Sequence, residues 1–424
     1  MTTRPTPTRG ATTGPAAGAT TRPATGPGTG PAAASRLRDI DALRGFALLG
    51  ILLVNITFMA SAYQGTGVAD PAFGSAPDTA VRFLTEVFFE TKFYLLLSFL
   101  FGYSFTLQPA SADRDGAAFL PRFLRRCAGL FVLGLCHAVL LFPGDILTTY
   151  AVLGLVLLAV RRIPPRTAVR TAAVILAVTA VGYLLLALAL AVAGTGGIDT
   201  AAVAEHGREA TEALRGDPGS VIAAHLRQLP DVLFMLAFFQ APAAFAAFLL
   251  GLAAGKRGML SDPARDERLL RRLQWIGFPV GIAGGLVWAH AAEGYSGTAY
   301  QLVAVAVDVV TAPLLAAAYA ATVLRTLAGP RGRRPAAVLA PAGRMTLTNY
   351  LTQSLVLAFV FTGFGAALVG RLAPAYVTLT ALALFAAQVV FSRWWLARYS
   401  YGPVEWVLRA VTLARRPRRR EKAT

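Results

Sequence analysis

The chain has 424 residues, of which 55% are hydrophobic and 15% are charged, and its mean hydropathy is +0.56. Soluble globular proteins carry about a quarter charged residues, so this composition excludes an ordinary soluble domain and indicates a protein that folds in a lipid bilayer. The net charge of +18 does not indicate a nucleic-acid partner, because the basic residues fall between long apolar runs and form no basic face of a folded domain.

The N-terminal 35 residues are almost entirely Thr, Pro, Ala, Gly and Arg. This composition predicts a disordered tail at 1–35, which the charge pattern places in the cytoplasm. The tail lacks the apolar core of a secretory signal peptide. The first apolar stretch begins near Leu43. Because nine further apolar stretches follow this one, it is predicted to be a signal-anchor span.

Ten apolar stretches, each of about 15 to 26 residues, are long enough to cross a bilayer as helices. The sequence therefore predicts an all-α fold, a polytopic integral membrane bundle of about ten transmembrane helices. No soluble domain large enough to carry a separate enzyme remains, so any chemistry is expected inside the bundle or at its mouths. The predicted spans are 43–60, 90–108, 127–142, 146–160, 168–193, 231–254, 275–292, 299–324, 346–368 and 375–397.

The distribution of Lys and Arg between the spans predicts the orientation. Arginines and lysines concentrate in alternate connecting segments, for example at 122–126, 161–170 and 325–344, and the segments between them hold few. Positive residues favour the cytoplasmic side, so both termini are predicted to be inside. The chain then divides into a membrane half with four spans (36–160), spans five and six with an exterior loop at 194–230 (161–272), and the last four spans with a basic tail (273–424).

Polar residues inside spans are the candidates for function, because a charged side chain at the centre of a span costs at least about 2.5 kcal/mol. Lys92 is expected to snorkel to the outer interface and to pair with Glu90. Asp308, roughly mid-membrane, is the hardest to explain by structure alone. The candidates are Asn55, Glu90, Lys92, His137, Gln240, Asp308, Asn349 and Gln353.

Two of these candidates are predicted to lie at one depth. Arg44 and Asn55 are eleven residues apart, as are Arg126 and His137, and each separation is about 16 Å of helix. If both arginines mark the inner boundary, the Asn55 amide and the His137 imidazole can meet in one pocket. Asp145, in the exterior turn that follows, is predicted to cap the next helix and to orient His137. In the alternative reading these groups are only interhelical contacts, worth about 0.6 kcal/mol each.

Five separated motifs resemble one family, the bacterial membrane proteins grouped as domain of unknown function 418 (YeiB-like). The resemblance implies a multi-pass protein of a bacterial-type plasma membrane. The motifs are RDIDALRGFALLGILLVNI at 38–56, KF at 92–93 with SFLFG at 98–102, GLCH at 134–137 with GDILTTYA at 144–151, GRMTLTNYLTQS at 343–354, and SRWW at 392–395 with GPVEW at 402–406.

That family is distantly similar to transmembrane acyltransferases, namely the acyltransferase-3 proteins and the heparan-glucosaminide acetyltransferases. The resemblance implies transfer of an acyl group from cytoplasmic acyl-CoA to an exterior glycan or another small acceptor. Acyltransferase-3 proteins carry Arg, ten intervening residues and a catalytic His in the first span; Arg44 matches the Arg, and Asn55 stands at the His position. The glucosaminide acetyltransferases show a Val-Asn pair that matches Val54 and Asn55. His137 is then the residue expected to act as base.

Acyl transfer needs an imidazole base, a carboxylate that fixes its tautomer and a donor for the carbonyl oxyanion. His137, Asp145 and Asn55 supply these groups and are the expected catalytic residues. Acyl-CoA is the expected co-substrate, with no covalently bound cofactor and no metal, and the bilayer and a glycan or lipid acceptor are the expected partners. The residues expected to bind the substrate or acyl-CoA are Asp41, Arg44, Lys92, Arg126, Arg344, Asn349 and Gln353.

Two other functions remain open. In a transporter, Lys92, Gln240 and Asp308 would line a path through the membrane, although the sequence shows no internal repeat of broken helices. In a scaffold, the polar residues would only hold helices together. The acyltransferase hypothesis predicts that Asn55, His137 and Asp145 face one cavity open to the outside, and the scaffold hypothesis predicts that His137 and Asp145 share no cavity.

Overall fold

The computed structural model describes residues 31–109, 118–194, 199–260, 266–329 and 332–416, with side chains from Arg38 onward. Residues 1–30 of the predicted tail therefore lie outside the described residues. Residues 31–35, which were predicted to be disordered, form the first turn of a helix, because Pro31 suits the first helical position and three alanines follow it.

All regular structure in these ranges is helical, and a five-residue π-helical segment joins two of the helices. The helices are α1 (Pro31–Ala60), α2 (Ala76–Phe88), α3 (Lys92–Phe105), α4 (Phe119–Leu140), α5 (Leu147–Ala159), α6 (Pro165–Ala193), α7 (Thr200–Arg215), α8 (Pro218–Met235), the π-helix Leu236–Gln240, α9 (Ala241–Lys256), α10 (Glu267–Gly294), α11 (Ala299–Ala328), α12 (Arg333–Arg344), α13 (Thr346–Phe361), α14 (Pro374–Arg398) and α15 (Pro403–Leu413).

Within the described ranges, seven helices are long and apolar enough to cross a membrane. The prediction of an all-helical, polytopic membrane protein is thereby confirmed. The seven are α1 from Arg38, α4, α6, the continuous run α8 to α9, α10, α11 and α14. The other three predicted spans correspond to α3, α5 and α13, which have 14, 13 and 16 residues. At 1.5 Å per residue these are about 20 to 24 Å long, shorter than the hydrocarbon core.

The connecting segments contain more helix than the sequence predicts. The segment before the second predicted span forms α2, which begins after the N-cap Ser75. The exterior loop 194–230 contains α7 and the first three turns of α8, so the sixth span begins at Pro218 rather than near 231. Helices α12 and α15 were not predicted, because at 12 and 11 residues each is too short to give the hydropathy signal of a span.

Contacts between helix ends define two opposite ends of the bundle. At the first, which we call the basic end, Arg44 at the start of the apolar stretch of α1 donates to Ser104 at the end of α3. Lys256 at the end of α9 donates to the carbonyl oxygen of Arg161 after α5 at 2.6 Å. These basic residues belong to the segments that the sequence predicts to be cytoplasmic.

The opposite end, which we call the far end, is closed by α7 and by the loop before α14. Gly370 N donates to the carbonyl oxygen of Ala60 at the end of α1, at 2.7 Å. Tyr63 donates its hydroxyl to the carbonyl oxygen of Ala204 on α7, at 3.2 Å. The far end is therefore covered by hydrogen-bonded structure from the exterior segment 194–230 and from the loop before α14.

Glycines allow α3 to pack closely against α9. A Cβ on Gly102 of α3 would lie 2.1 Å from the carbonyl oxygen of Phe248 on α9, and a Cβ on Gly251 would lie 2.1 Å from that of Phe99. Membrane helices associate through such small residues because these let the backbones approach closely. The approach fixes the position of α3, which carries Lys92 at its first residue.

Candidate active site

His137 and Asp145 form a buried pair, as the sequence predicts. His137 lies in the last turn of α4, and Asp145 precedes α5 by two residues. His137 Nδ1 is 3.0 Å from Asp145 Oδ1, and the two side chains are 0% and 1% exposed. Asp145 Oδ2 accepts a hydrogen bond from Thr148 N at 2.7 Å. One carboxylate oxygen therefore accepts a hydrogen bond from the first turn of α5, and the other lies beside the imidazole.

Gly134 allows this arrangement. A Cβ at Gly134 would lie 2.5 Å from Asp145 Oδ2 and 2.6 Å from Thr148 N. Because Gly134 and His137 are three residues apart, they share a face of α4. The first turn of α5 can therefore lie directly on this face, with its capping carboxylate beside the imidazole.

The imidazole lacks hydrogen bonds. The contact of Nδ1 with Asp145 has the distance but not the geometry of a hydrogen bond, and Nε2 has no hydrogen-bond partner among the described residues. Two aromatic rings enclose His137, with centroid distances of 5.0 Å to Tyr350 of α13 and 6.4 Å to Phe142. The Tyr350 hydroxyl is also buried without a hydrogen bond, near the backbone of Ile146. Each such group costs about 1 to 3 kcal/mol, so the cluster is expensive as a purely structural feature.

In the residues that the structure describes, His137 and Asp145 do not line the outward-open cavity that the sequence predicts. His137 and Asp145 are too little exposed to line an open cavity, because the rings of Tyr350 and Phe142 fill the space around the imidazole. Asn55 is half-buried on α1 and makes no hydrogen bond or ion pair with His137 or Asp145 in the described structure. An equal depth in the membrane does not fix the direction in which a side chain leaves its helix.

The arginines expected to bind acyl-CoA gather at the basic end. Arg44 donates to Asp41 at 2.8 Å, and Arg344 is near enough to Asp41 to interact with its charge. Arg126 lies within electrostatic range of Arg44 and of Glu405, and its Nε is buried without a hydrogen bond. We call Arg44, Arg126 and Arg344 the arginine group.

Glu405 is a residue of this region that the sequence-based site missed. Its Oε1 accepts hydrogen bonds from the backbone nitrogens of Leu347 at 2.8 Å and Thr348 at 3.0 Å, and its Oε2 accepts from the Thr348 hydroxyl. Glu405 therefore caps α13, one turn before Tyr350. Glu405 lies in the GPVEW motif at 402–406, so this motif could have identified it as a candidate residue.

The amides of Asn349 and Gln353 are already engaged within the protein. Asn349 Nδ2 donates to Ser392 Oγ at 3.0 Å, and Gln353 Nε2 donates to Gln388 Oε1 at 2.8 Å. Gln388 Nε2 in turn donates to the carbonyl oxygen of Asn349 at 2.9 Å. This network joins α13 to α14 and engages both predicted substrate-binding amides in hydrogen bonds within the protein.

Lys92 does not snorkel, so that expectation is wrong. Its side chain is 0% exposed, and Nζ lies 3.1 Å from Asp308 Oδ1 on α11. Lys92 is the first residue of α3, and its Nζ also donates to the carbonyl oxygen of Glu86 on α2 at 3.3 Å. The ion pair accounts for Asp308. Gln240, the last residue of the π-helix, keeps its Oε1 buried without a hydrogen bond.

His225 is a second buried histidine near the candidate site. Its Nδ1 is 3.1 Å from the carbonyl oxygen of Val139 at the end of α4, and it interacts electrostatically with His137. The sequence placed it in the exterior loop. The available signal was the spacing of Val221, Ala224 and His225, which fall on one buried face of α8. In the described residues, no group of three or more His, Cys, Asp or Glu side chains is arranged to hold a metal.

Comparison with known proteins identifies relatives along nearly the whole chain. The model of the family described as "Protein of unknown function (DUF418)" matches residues 254–415. The uncharacterized protein YxaH of Bacillus subtilis (strain 168) is 31% identical over 394 residues, which cover 89% of this chain and 94% of that protein. The uncharacterized protein YeiB of Escherichia coli (strain K12) is 28% identical over 387 residues, 88% of this chain and 95% of YeiB. No solved structure matches the chain significantly.

Proposed function

The chain belongs to the DUF418 (YeiB-like) family, and we propose that it is a membrane acyltransferase that moves an acyl group from acyl-CoA to a hydroxyl or amine acceptor. One observation carries the proposal: His137 Nε2 is buried and has no partner, while a carboxylate faces Nδ1. An imidazole in this state is suited to take a proton from an acceptor, because the carboxylate stabilises the imidazolium that forms.

In the proposed reaction, His137 Nε2 removes the proton from the acceptor as the acceptor oxygen or nitrogen attacks the thioester carbonyl carbon. The new bond to that carbon forms and the carbon–sulfur bond breaks. The proton passes from the imidazolium to the departing sulfur, so the products are the acylated acceptor and free coenzyme A. One oxygen of Asp145 faces the ring at 3.0 Å, and its second oxygen caps α5.

A donor for the oxyanion is available in the Tyr350 hydroxyl. It is buried beside His137 without a hydrogen bond, and donors fixed in a water-poor site are worth more than donors in water. Asn55 remains a predicted donor, and it would have to reach the site through a movement of α1. A movement is needed in any case, because the rings of Tyr350 and Phe142 close off the imidazole in this conformation.

The arginine group is the proposed site for the coenzyme A phosphates. Arginine binds phosphate oxygens through charge-assisted hydrogen bonds, and the buried Arg126 Nε has no partner within the described protein. Arg126 and His137 are eleven residues apart on α4, a rise of about 16 Å. The flexible pantetheine arm of acyl-CoA would run along α4 from the basic end toward the imidazole.

The test uses the full chain, purified in lipid nanodiscs with radiolabelled acetyl-CoA and an extract of cell-surface glycans. We expect label in the glycan fraction with the unaltered protein and loss of more than 100-fold in the rate with His137→Ala, because removal of a general base costs about 10² to 10⁴. His206→Ala is the matched control, because His206 is an exposed histidine on α7. Unchanged transfer by His137→Ala would exclude the proposed mechanism.

A transporter is the second candidate function. The Lys92–Asp308 pair buried between α3 and α11 favours it, as does the π-helix that interrupts the run from α8 to α9, since such interruptions are frequent at functional sites. The same assay separates the two functions, because a transporter leaves the thioester of acetyl-CoA intact.

A further inference from the structure

A second group of buried ionisable residues lies away from His137. It is formed by α2, the turn after it, and the facing residues of α3, α10 and α11. We call it the carboxylate cluster: Arg82, Glu86, Glu90, Lys92, Glu293 and Asp308. None of its members takes part in the proposed acyl transfer.

The cluster leads from the surface into the bundle. Arg82 Nε and Glu293 Oε1 are 3.3 Å apart, with side chains 16% and 19% exposed, so this pair forms the mouth. Glu86, one helical turn after Arg82, is buried, and Lys92 and Asp308 behind it are buried as well. Glu86 interacts electrostatically with both charges at the mouth and with Lys92. The charged groups therefore form a continuous series from solvent to the ion pair.

The charges in the cluster do not balance. Each basic residue already has a carboxylate of its own, because Arg82 pairs with Glu293 and Lys92 pairs with Asp308. Glu86 and Glu90 are left without a cation. Two unpaired negative charges in a water-poor region are very costly, so a buried carboxyl in this position takes up a proton instead.

The hydrogen bonding around Glu86 supports this reading. Within the described residues, Glu86 Oε2 is buried without a hydrogen bond. Thr91, whose Oγ1 is likewise buried without one, lies in the turn between α2 and α3 with φ 66°, and Trp288 interacts with the Glu90 carboxylate. Burial, followed by the charges of Glu90 and Glu293, raises the pKa of Glu86 to about 9, against the opposite influence of Arg82 and Lys92.

We propose that Glu86 is a reversible proton-binding site, which holds a proton at neutral pH and exchanges it with solvent through the mouth formed by Arg82 and Glu293. Binding converts the carboxylate to a neutral carboxylic acid, and release returns the proton to water. Lys92 Nζ already contacts the backbone oxygen of Glu86. Loss of the proton would therefore give Lys92 a second anion that competes with Asp308.

Infrared difference spectroscopy on the full chain in lipid nanodiscs tests the proposal without reference to acyl transfer. We expect a carbonyl stretching band of a protonated carboxylic acid at pH 7, which shifts in D₂O and disappears at higher pH. Glu86→Gln should remove this band. Asp78→Asn is the matched control, because Asp78 is a partly exposed carboxylate at the start of α2, and it should leave the band unchanged.

A second variant keeps the test decisive if Glu86→Gln does not fold. Glu293→Gln removes a negative charge that raises the pKa of Glu86 and frees Arg82, which lowers it. The midpoint of the band should therefore move to lower pH by at least one unit, while its amplitude is retained. Absence of the band at pH 7 in the unaltered protein, or its persistence in Glu86→Gln, would overturn the proposal.

Discussion

At the scale of single residues, the protein buries charge in contacts between distant parts of the chain. Lys92 and Asp308 are 216 residues apart in sequence and 3.1 Å apart in space. Desolvation of two such charges costs several kcal/mol each, and only a close partner offsets it. This pairing explains why a lysine at the start of an apolar helix remains inside the bundle instead of extending to the interface.

Glu86 makes the stability of the protein dependent on pH. Its pKa is raised in the folded protein from 4.5 to about 9, so between these values the folded state binds more protons than the unfolded state. Stability from this group is then fully present below about pH 4.5 and decreases as pH rises, by at most about 1.4 kcal/mol per unit. We expect the difference in thermal midpoint between the unaltered protein and Glu86→Gln to decrease steadily with pH.

Thermal unfolding in detergent, recorded for both proteins at each pH, measures this difference. Subtracting the two curves removes the contribution of groups that titrate identically in both proteins. A difference that is constant with pH would show that Glu86 has the same proton affinity in the folded and unfolded states.

At the scale of helices, the candidate site depends on how closely α5 approaches α4. The approach needs a glycine at 134, because any side chain there would meet Asp145 and the first turn of α5. The same carboxylate satisfies that first turn and faces His137. The position of α5 and the state of the imidazole are therefore linked.

We expect Gly134→Ala to separate α5 from α4, to lower the thermal midpoint, and to reduce any acyl transfer to the level of His137→Ala. The matched control is Gly182→Ala on α6, where nothing lies within 4 Å of the added Cβ. Alanine in a helix interior is about 0.5 to 1 kcal/mol more favourable than glycine, so this variant should be as stable as the unaltered protein or slightly more stable. Equal stability and equal activity of the two variants would contradict the proposed linkage.

At the scale of the whole molecule, the arrangement of helices separates the arginine group from His137. The basic end carries the arginine group, and the far end is covered by α7 and the loop before α14. His137 lies near the far end, since the neighbouring Val139 contacts His225. Acyl transfer across the membrane requires this separation of donor phosphates from acceptor.

The positive-inside rule predicts that the basic end faces the cytoplasm. In a background with Cys127 and Cys136 replaced by Ala, a cysteine at Glu209 on α7 should react with a membrane-impermeant maleimide in intact cells. A cysteine at Arg257 after α9 should react only after the cells are permeabilised. Both native residues are exposed, so each introduced thiol is accessible to the reagent from its own side. The reverse labelling pattern would invert the predicted orientation.

The sequence by itself determined the membrane class, the family and the approximate positions of the seven long apolar helices. A bilayer imposes a local requirement for about 20 apolar residues per crossing, and local requirements can be read from a linear chain. The pairing of His137 with Asp145 was equally accessible, because the two residues flank a single tight turn. The GLCH and GDILTTYA motifs carry both of them.

Only the tertiary structure decided which distant groups meet. Lys92 pairs with Asp308, and the Tyr350 ring lies beside the His137 imidazole. Among the described residues, Asn55 makes no hydrogen bond with His137. The side chains of His137 and Asp145 are enclosed and do not line an open cavity. Hydropathy and helical periodicity fix the depth of a residue in the membrane and its face on a helix. They do not fix which helices are neighbours, because that depends on close packing among small residues across the whole bundle.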